Sequence, residues 1–105
     1  MATSFANQEL TRSQADGFRG WVLLQFGADW CGHCQAAQAP IEEALLHRQD
    51  ITHLKIEDGK GRALGRSFSV KLWPTLILLR DGQEVDRIVR PTTTAEVNRL
   101  IGRAQ

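Results

Sequence analysis

The two cysteines of this chain are separated by two residues, in the stretch Asp29-Trp30-Cys31-Gly32-His33-Cys34. Two thiols at this spacing can close a disulfide and open it again, so the pair could carry thiol–disulfide exchange. No other part of the sequence offers chemistry of comparable specificity. What the pair can do depends on the elements that hold it.

The cysteines fall between a predicted strand and a predicted helix. The run Trp21–Phe26 is mostly apolar and predicts a strand buried on both faces. Helix-forming residues follow the pair up to about Arg48. Cys31 therefore falls at or near the first helical position, where free amides and the helix dipole favour a thiolate. We expect the pKa of Cys31 to lie below the usual value of ~8.5, and Cys34 to be more buried and less acidic.

This placement predicts a division of labour between the sulfurs. Cys31, the exposed one, attacks a substrate disulfide, and Cys34 then attacks the mixed disulfide to release the product. Protonated His33 would stabilise the Cys31 thiolate and make the pair more oxidising, although His33 could also be a solvated turn residue. We predict a reduction potential of roughly −270 to −180 mV.

Two simpler interpretations of the pair are disfavoured. A structural zinc site usually takes four ligands, and this chain has only two cysteines. His33 lies between the cysteines and can hardly complete the same tetrahedron, while His47 and His53 have no familiar ligand spacing. No metal is predicted. An inert structural disulfide is also disfavoured, because so short a loop would stabilise the fold little.

Two motifs together resemble one known family. Cys31-Gly32-His33-Cys34 after a buried strand, with Trp73-Pro74-Thr75 before a second apolar strand, is similar to the thioredoxin family. The resemblance runs from about Phe5 to Ile101, and the Cys-Gly-His-Cys form is that of protein disulfide isomerase domains and some bacterial thioredoxin-like proteins. It implies a single α/β domain over residues 1–105. Its fold would be thioredoxin-like, with a central mixed sheet of about four strands and helices on both faces.

The remaining elements follow from local signals. Only about four residues precede the first predicted helix, so the family's first strand is expected to be missing or vestigial. Pro40 falls inside the active-site helix and should kink it, six residues after Cys34 where the family has five. The other predicted elements are a helix over Ser4–Ala15 with Ser4 as N-cap, a strand over Ile51–Ile56, a helix over Arg62–Phe68, a strand over Thr75–Arg80, a hairpin turn at Asp81-Gly82, a strand over Glu84–Val89, and a last helix opened by a capping box of Thr93 and Glu96.

Gln25 is the most informative departure from the family. Thioredoxins place a buried Asp at this position and disulfide isomerase domains a Glu, and that carboxylate is thought to relay a proton for the buried cysteine. Gln25 cannot titrate. The family's partner lysine would fall near His53 and is therefore expected to be missing. These changes predict that Cys34 attacks slowly at neutral pH and faster as the pH rises. The alternative is that Gln25 fills space and hydrogen-bonds locally.

The resemblance also implies a substrate surface. Pro74 would be the family's cis-proline, which faces the cysteine pair, and the backbone before it would pair with the substrate chain; on its own it could equally be a strand-start residue. Trp73 is an unusual residue at that place and is either core or part of the docking surface. Trp30 would flank the site and contact partners. Pro91 stands where the family usually has a glycine on the groove rim.

These features predict a thiol–disulfide oxidoreductase that reduces or exchanges protein disulfides through Cys31 and Cys34, with Gly32, His33 and Gln25 tuning the pair. It would need no cofactor beyond the Cys31–Cys34 disulfide and would take electrons from a small thiol or a flavoprotein reductase. The first alternative is a thioredoxin-fold binding or chaperone-like module with little redox activity. A periplasmic oxidase or isomerase is a weaker alternative.

Composition narrows the setting. The chain has 105 residues, 42% hydrophobic and 24% charged, with a net charge of +1, as is ordinary for a globular protein. This charge implies neither a nucleic-acid nor a membrane-surface partner, and no run reaches the ~20 apolar residues of a membrane span. The start lacks a secretory signal. We expect a cytoplasmic monomer if Met1 is the native start, and a periplasmic protein if a signal has been removed.

Overall fold

The computed structural model describes Phe5 and residues 10–105, and folds this part of the chain into four helices and four strands. In chain order the elements are α1 (Arg12–Asp16), β1 (Trp21–Gly27), α2 (Gly32–Leu45), β2 (Ile51–Glu57), α3 (Ala63–Ser67), β3 (Thr75–Arg80), β4 (Gln83–Val89) and α4 (Thr94–Ile101). Every predicted strand is present, and each strand end lies within one residue of its predicted position.

The strands form one mixed sheet in the order β2-β1-β3-β4. β1 pairs in parallel with β2 and antiparallel with β3, and β3 pairs antiparallel with β4. All but the first residue of β1 are buried, as expected for an apolar strand with a neighbour on each side. The end of this central strand leads directly to the cysteines.

Each face of the sheet is covered by a different pair of helices. On one face, Leu23 and Leu78 of the sheet pack with Ile41 of α2 and Leu100 of α4. On the other face, sheet residues that include Phe26 pack with residues of α1 and α3. A four-stranded mixed sheet with helices on both faces confirms the predicted fold class.

The N-terminal helix differs from its prediction. Ser4, its expected cap, and the residues expected to replace the missing first strand lie outside the described residues. Within the described part the helix begins at Arg12, and Thr11 is its N-cap. The Thr11 hydroxyl accepts a hydrogen bond from the Gln14 amide, and the Gln14 side chain accepts one from the Thr11 amide. This capping box is readable in the sequence but was missed.

The predicted hairpin turn is present between β3 and β4. Asp81 and Gly82 have φ angles of 49° and 82°, the two positive values that a tight two-residue hairpin turn requires. A side chain at Gly82 would also collide with the backbone of Asp16. Both the positive φ angle and this close approach therefore require glycine at position 82.

Two helix details refine the predictions. Thr93 caps α4 by accepting a hydrogen bond from the Glu96 amide, but the Glu96 carboxylate accepts from the backbone of Thr92 rather than Thr93. Only half of the predicted capping box therefore forms. Pro40 lies inside α2, which ends at Leu45 rather than near Arg48.

Candidate active site

The turn between β1 and α2 presents both cysteines. Cys31 is the N-cap of α2, with extended backbone, and its Sγ accepts a hydrogen bond from the Cys34 amide at 3.3 Å. The Cys31 amide donates to the Ala28 carbonyl at 3.2 Å, which closes the turn. A sulfur in the N-cap position meets free amides and the positive end of the helix dipole. This geometry favours a negative charge on Cys31.

The two sulfurs differ in burial, but less than predicted. Cys31 is 8% exposed and Cys34 is 3% exposed, so the expectation of an exposed Cys31 is wrong. Both thiols are free. Burial and the hydrogen bond to Cys31 raise the pKa of Cys34 to about 12, while the Ala28 amide and Lys55 pull it down. Cys34 is the more buried sulfur, and its raised pKa agrees with the prediction for this residue.

The floor under Cys34 is made by residues that the sequence prediction missed. A Cβ on Gly27 would lie 2.5 Å from the Cys34 sulfur and 2.9 Å from the Phe5 ring. Phe5 is itself buried and packs with Ala28 and both cysteines. Glycine at the end of β1 therefore lets sulfur and ring sit directly on the sheet. No local signal in the sequence marks this contact.

Gln25 is buried in β1 and belongs to a polar group that also includes His53 and Lys55. The His53 Nε2 lies 2.7 Å from the Gln25 Oε1. Because an amide oxygen can only accept, the imidazole donates through Nε2. Burial, and secondarily the charge of Lys55, lower the pKa of His53 to about 4. Gln25 therefore fills a buried place in the sheet and makes a hydrogen bond to the neighbouring strand.

The expectation that the family's lysine is missing is wrong. Strand pairing places Lys55, not His53, opposite Gln25. Lys55 is 6% exposed, and its Nζ lies 4.5 Å from the centre of the Phe5 ring. The misassignment arose because the register of a parallel strand pair is set by packing across the sheet, which counting from a predicted strand end cannot capture.

An aromatic pair stands beside the cysteines. The rings of Trp30 and Trp73 meet edge to face, with centroids 5.5 Å apart. Trp30 is 75% exposed, whereas Trp73 is half-buried and packs against the cluster of both cysteines. The Trp73 Nε1 donates to the Asp58 carboxylate at 2.8 Å, and glycine at position 65 leaves room for that carboxylate. Trp73 thus belongs partly to the core and partly to the surface, and Asp58 holds its ring in place.

The loop that carries Pro74 faces a second loop after β4. The Trp73–Pro74 peptide bond is cis. The Arg90 amide donates to the Pro74 carbonyl, and the Arg90 Nε donates to the Trp73 carbonyl, each at 2.8 Å. Pro91 is buried, so the exposed group at this rim is Arg90. The sequence prediction did not include Arg90.

The remaining predicted residues of the motif lie at the surface. Gly32 and His33 are exposed in the first turn of α2, and a side chain at Gly32 would meet nothing within 4 Å. Asp29 is exposed too, and its carboxylate accepts a hydrogen bond from the Phe5 amide at 3.1 Å. His33 is therefore accessible to solvent and to a bound partner.

The site is an open surface. The clefts of 460 and 540 Å³ are lined by residues around the C-terminal end of α2 and contain neither cysteine. A small cavity of about 30 Å³ lies beside Cys34. In the part of the chain that the structure describes, no three His, Cys, Asp or Glu side chains are placed to hold a metal ion. Over the same residues, no helix is long and apolar enough to cross a membrane. An open surface of this kind suits a macromolecular substrate.

Comparison with known proteins gives one consistent result. The family model for thioredoxin matches residues 5–103. A thioredoxin of Chlamydia trachomatis is 34% identical over 86 residues, which are 82% of this chain and 84% of the relative. A thioredoxin of Mycobacterium tuberculosis is 42% identical over 69 residues, but that match covers only 60% of the relative. The solved structure of thioredoxin 2 from Pseudomonas aeruginosa in its reduced form has 46% identity and a TM-score of 0.89, over 99% of this chain and 96% of that one.

Proposed function

Because the chain belongs to the thioredoxin family and is a thiol–disulfide oxidoreductase, we propose that Cys31 is its nucleophile and Cys34 its resolving thiol. The observation that carries this assignment is the N-cap position of Cys31, whose sulfur accepts the Cys34 amide. That amide stabilises a thiolate on Cys31. Burial meanwhile raises the pKa of Cys34 to about 12, so Cys34 is the weaker nucleophile in the resting state.

The reaction then runs in two exchanges. The Cys31 thiolate attacks one sulfur of a protein disulfide, a mixed disulfide forms, and the other client sulfur leaves as a thiolate. Cys34 loses its proton and attacks the Cys31 sulfur, which forms the Cys31–Cys34 disulfide and releases the second client thiolate. The client gains two electrons and the pair loses two. A reductase or a small thiol returns them, and no other cofactor takes part.

The surface around the pair supports a binding role for the four predicted rim residues. Trp30 offers an exposed ring, Trp73 a ring held by Asp58, and Pro74 and Pro91 shape the adjoining loops. We expect a client segment to run beside the backbone of Trp73, as the family resemblance implies. Arg90 donates to that backbone carbonyl, so a client amide that uses the same oxygen must share it with Arg90 or displace it.

The working context is also part of this proposal. We infer that residues 1–105 act as one domain and as a monomer in the cytoplasm. Because the reducing systems of the cytoplasm keep thiols reduced, the net reaction there would be reduction of client disulfides. Its roles would then be electron transfer to protein disulfides and cellular redox homeostasis. His33, Gly32 and Gln25 would tune the pair through the charge and polarity close to it.

Insulin reduction by dithiothreitol tests the assignment. The protein should accelerate precipitation of the insulin chains, and Cys31→Ser should return the rate to that of dithiothreitol alone. With oxidised insulin and no dithiothreitol, reduced Cys34→Ser should instead accumulate a mixed disulfide between Cys31 and the client, visible on a non-reducing gel. Ser13→Ala, in α1 and exposed, is the matched control and should keep full activity.

Three results would contradict the assignment. A wild-type rate no higher than the uncatalysed one would favour the binding-module alternative. A Cys31→Ser variant that keeps its activity would exclude Cys31 as the nucleophile. A mixed disulfide trapped on Cys34 in the Cys31→Ser variant, with none on Cys31 in Cys34→Ser, would reverse the two roles.

A further inference from the structure

Arg90 has a backbone conformation that arginine rarely adopts. Its φ angle is 51°, in the left-handed region that glycine enters freely and most other residues avoid. Two hydrogen bonds hold it there: the Arg90 amide donates to the Pro74 carbonyl, and the Arg90 Nε donates to the Trp73 carbonyl, each at 2.8 Å. Glycine would meet the backbone requirement more easily, and residues held in such conformations cluster at functional sites. The side chain of Arg90 is therefore expected to have a use.

The positive charge of Arg90 has no carboxylate partner in the part of the chain that the structure describes. The acidic side chains of β4 are already engaged, Glu84 by Arg87 and Asp86 by Arg103. The Arg90 side chain is exposed and donates through Nε to a neutral carbonyl. A guanidinium has further donors on its two terminal nitrogens. These donors can bind an anionic partner from solution.

The surface around Arg90 is apolar and adjoins the cysteine pair. Trp73, whose carbonyl accepts from Arg90, packs against the cluster of both cysteines. Three large apolar side chains are exposed around it. The Trp30 ring meets the Trp73 ring, and Leu72 and Val89 directly precede Trp73 and Arg90 in the chain. Exposed apolar side chains grouped around one loop are typical of an interaction surface. A client segment bound beside the cysteines therefore lies within reach of Arg90.

We propose that Arg90 is a specificity-determining residue that recognises a carboxylate of the client segment, so that clients with an acidic residue close to their reactive cysteine are preferred. This inference rests on the proposed function, because it assumes that clients bind beside the Cys31 sulfur. In the free protein the same guanidinium covers the Trp73 carbonyl. A client carboxylate draws the guanidinium toward itself and leaves this carbonyl to a backbone amide of the client.

Hydrogen bonds are exchanged in this step rather than lost. The Trp73 carbonyl accepts from Arg90 in the free protein and from the client amide in the complex, while Arg90 donates to the client carboxylate. A guanidinium can hold a carboxylate through two parallel donors, and this charged bond is stronger than one to a neutral carbonyl. A client with glutamine in place of the acid offers only a neutral acceptor. The difference between these two clients therefore measures the contribution of Arg90.

Two other exposed groups near the pair can attract an acidic client. His33 lies in the first turn of α2, and Lys71 lies two residues before Trp73. A lysine ammonium is a flexible, strongly hydrated point charge, whereas the planar fork of arginine fixes a carboxylate in one geometry. Lys71 thus adds to a general attraction without positioning the client. It is the matched control for Arg90, because it carries the same charge on a neighbouring part of the surface.

Peptides with one cysteine, each joined by a disulfide to a small aromatic thiol that is coloured when released, measure the preference. The aromatic thiol is the better leaving group, so attack by Cys31 on the peptide sulfur releases the colour. The later attack by Cys34 does not depend on peptide concentration and releases the peptide without colour. Six peptides carry Glu at one of the three positions on either side of the cysteine, and six counterparts carry Gln there.

The ratio of the Glu rate to the Gln rate is compared between protein variants, because the effect of Glu on the peptide disulfide itself then cancels. At pH 7 and low salt, Arg90→Met should lower this ratio about fivefold at the best position, near the upper limit for an exposed ion pair. The Gln peptide should react within about twofold of the wild-type rate or faster, since the Trp73 carbonyl is then uncovered. Lys71→Met should keep the wild-type ratio.

A second variant covers the backbone requirement at this position. Arg90→Gly also removes the charge, and glycine adopts the positive φ angle freely. It should reproduce the loss of preference even if Arg90→Met does not fold.

Each result bears on one of the two proposals. Absence of colour release by the wild-type protein with every peptide would refute the proposed function itself. Colour release with the same ratio in wild type and the Arg90 variants would overturn only the role of Arg90. Equal slowing of Glu and Gln peptides, an equal fall of the ratio in Lys71→Met, or failure of both Arg90 variants to fold would also overturn it. Arg90 would then support the loop or add to the general charge of the surface.

Discussion

Mild acid should destabilise this protein through one buried imidazole. His53 donates through Nε2 to Gln25, which leaves its Nδ1 without a hydrogen (the acceptor nitrogen). That Nδ1 is buried and, among the residues the structure describes, has no hydrogen-bond partner. Protonation would place a positive charge there, in a desolvated position near Lys55. The folded state therefore resists this proton, whereas the unfolded chain accepts it freely.

The magnitude follows from the two pKa values. The pKa of His53 is lowered from 6.5 to about 4 in the folded protein. A lowered pKa means that the unfolded state binds more protons between these values, so stability must fall as the pH falls. The gap of about 2.5 corresponds to about 3 kcal/mol, at 1.36 kcal/mol for each pKa unit. This contribution is complete above pH 6.5 and is lost as the pH falls to about 4.

Urea unfolding of the reduced protein at a series of pH values between 7 and 4 measures this loss. His53→Gln is the matched variant, because it keeps a donor toward Gln25 but cannot titrate. Exposed carboxylates such as Asp50, whose pKa is lowered from 3.8 by its bond to Arg48, begin to take up protons only at the acid end of this range and below it. They do so in both proteins, so the difference between the two curves isolates His53. The wild-type protein should lose about 3 kcal/mol more than the variant.

The reasoning would be refuted by parallel curves. If wild type and His53→Gln lose stability equally between pH 6.5 and 4, the buried Nδ1 is not the group that takes up the proton. His47→Gln controls for the removal of a histidine as such, since His47 is exposed. It should follow the wild-type curve, and a His47→Gln curve that resembles His53→Gln would also count against the argument.

Three further results are expected at the cysteine pair. Gly27→Ala should cost about 1–3 kcal/mol in urea unfolding, because its Cβ would lie 2.5 Å from the Cys34 sulfur; equal stability of Gly27→Ala and the unhindered Gly32→Ala would contradict this. His33→Pro should lower the reduction potential measured against glutathione, by about 30 mV for each tenfold change in the exchange constant, and a raised potential would exclude His33 as the tuning group. The concentration-independent phase of disulfide exchange should accelerate by up to about tenfold per pH unit above pH 7, since the pKa of Cys34 is raised to about 12; a flat profile would show that deprotonation of Cys34 does not limit it.

Local sequence signals were sufficient for the four strands and for the pair itself, although not for the bounds of α1 and α2. The apolar run of β1, the N-cap position of Cys31 and the turn at Asp81-Gly82 each depend on a few neighbouring residues. The order of a buried strand, two cysteines and a later Trp-Pro-Thr motif then indicated the family. Such features can be read from the sequence because the backbone conformation they require is decided within one or two turns of chain.

The surroundings of the pair were decided only by tertiary structure. Lys55 rather than His53 lies opposite Gln25 because the register of β1 and β2 depends on the packing of whole strand faces. Phe5 packs against the cysteines although it is distant from them in the sequence. The close approach at Gly27 exists only because the Phe5 ring and the Cys34 sulfur meet there. Contacts between residues distant in sequence leave no periodic pattern. The sequence by itself thus determined which two sulfurs can react. The packing of the sheet determined which charged and aromatic side chains, such as Lys55 and Phe5, surround them.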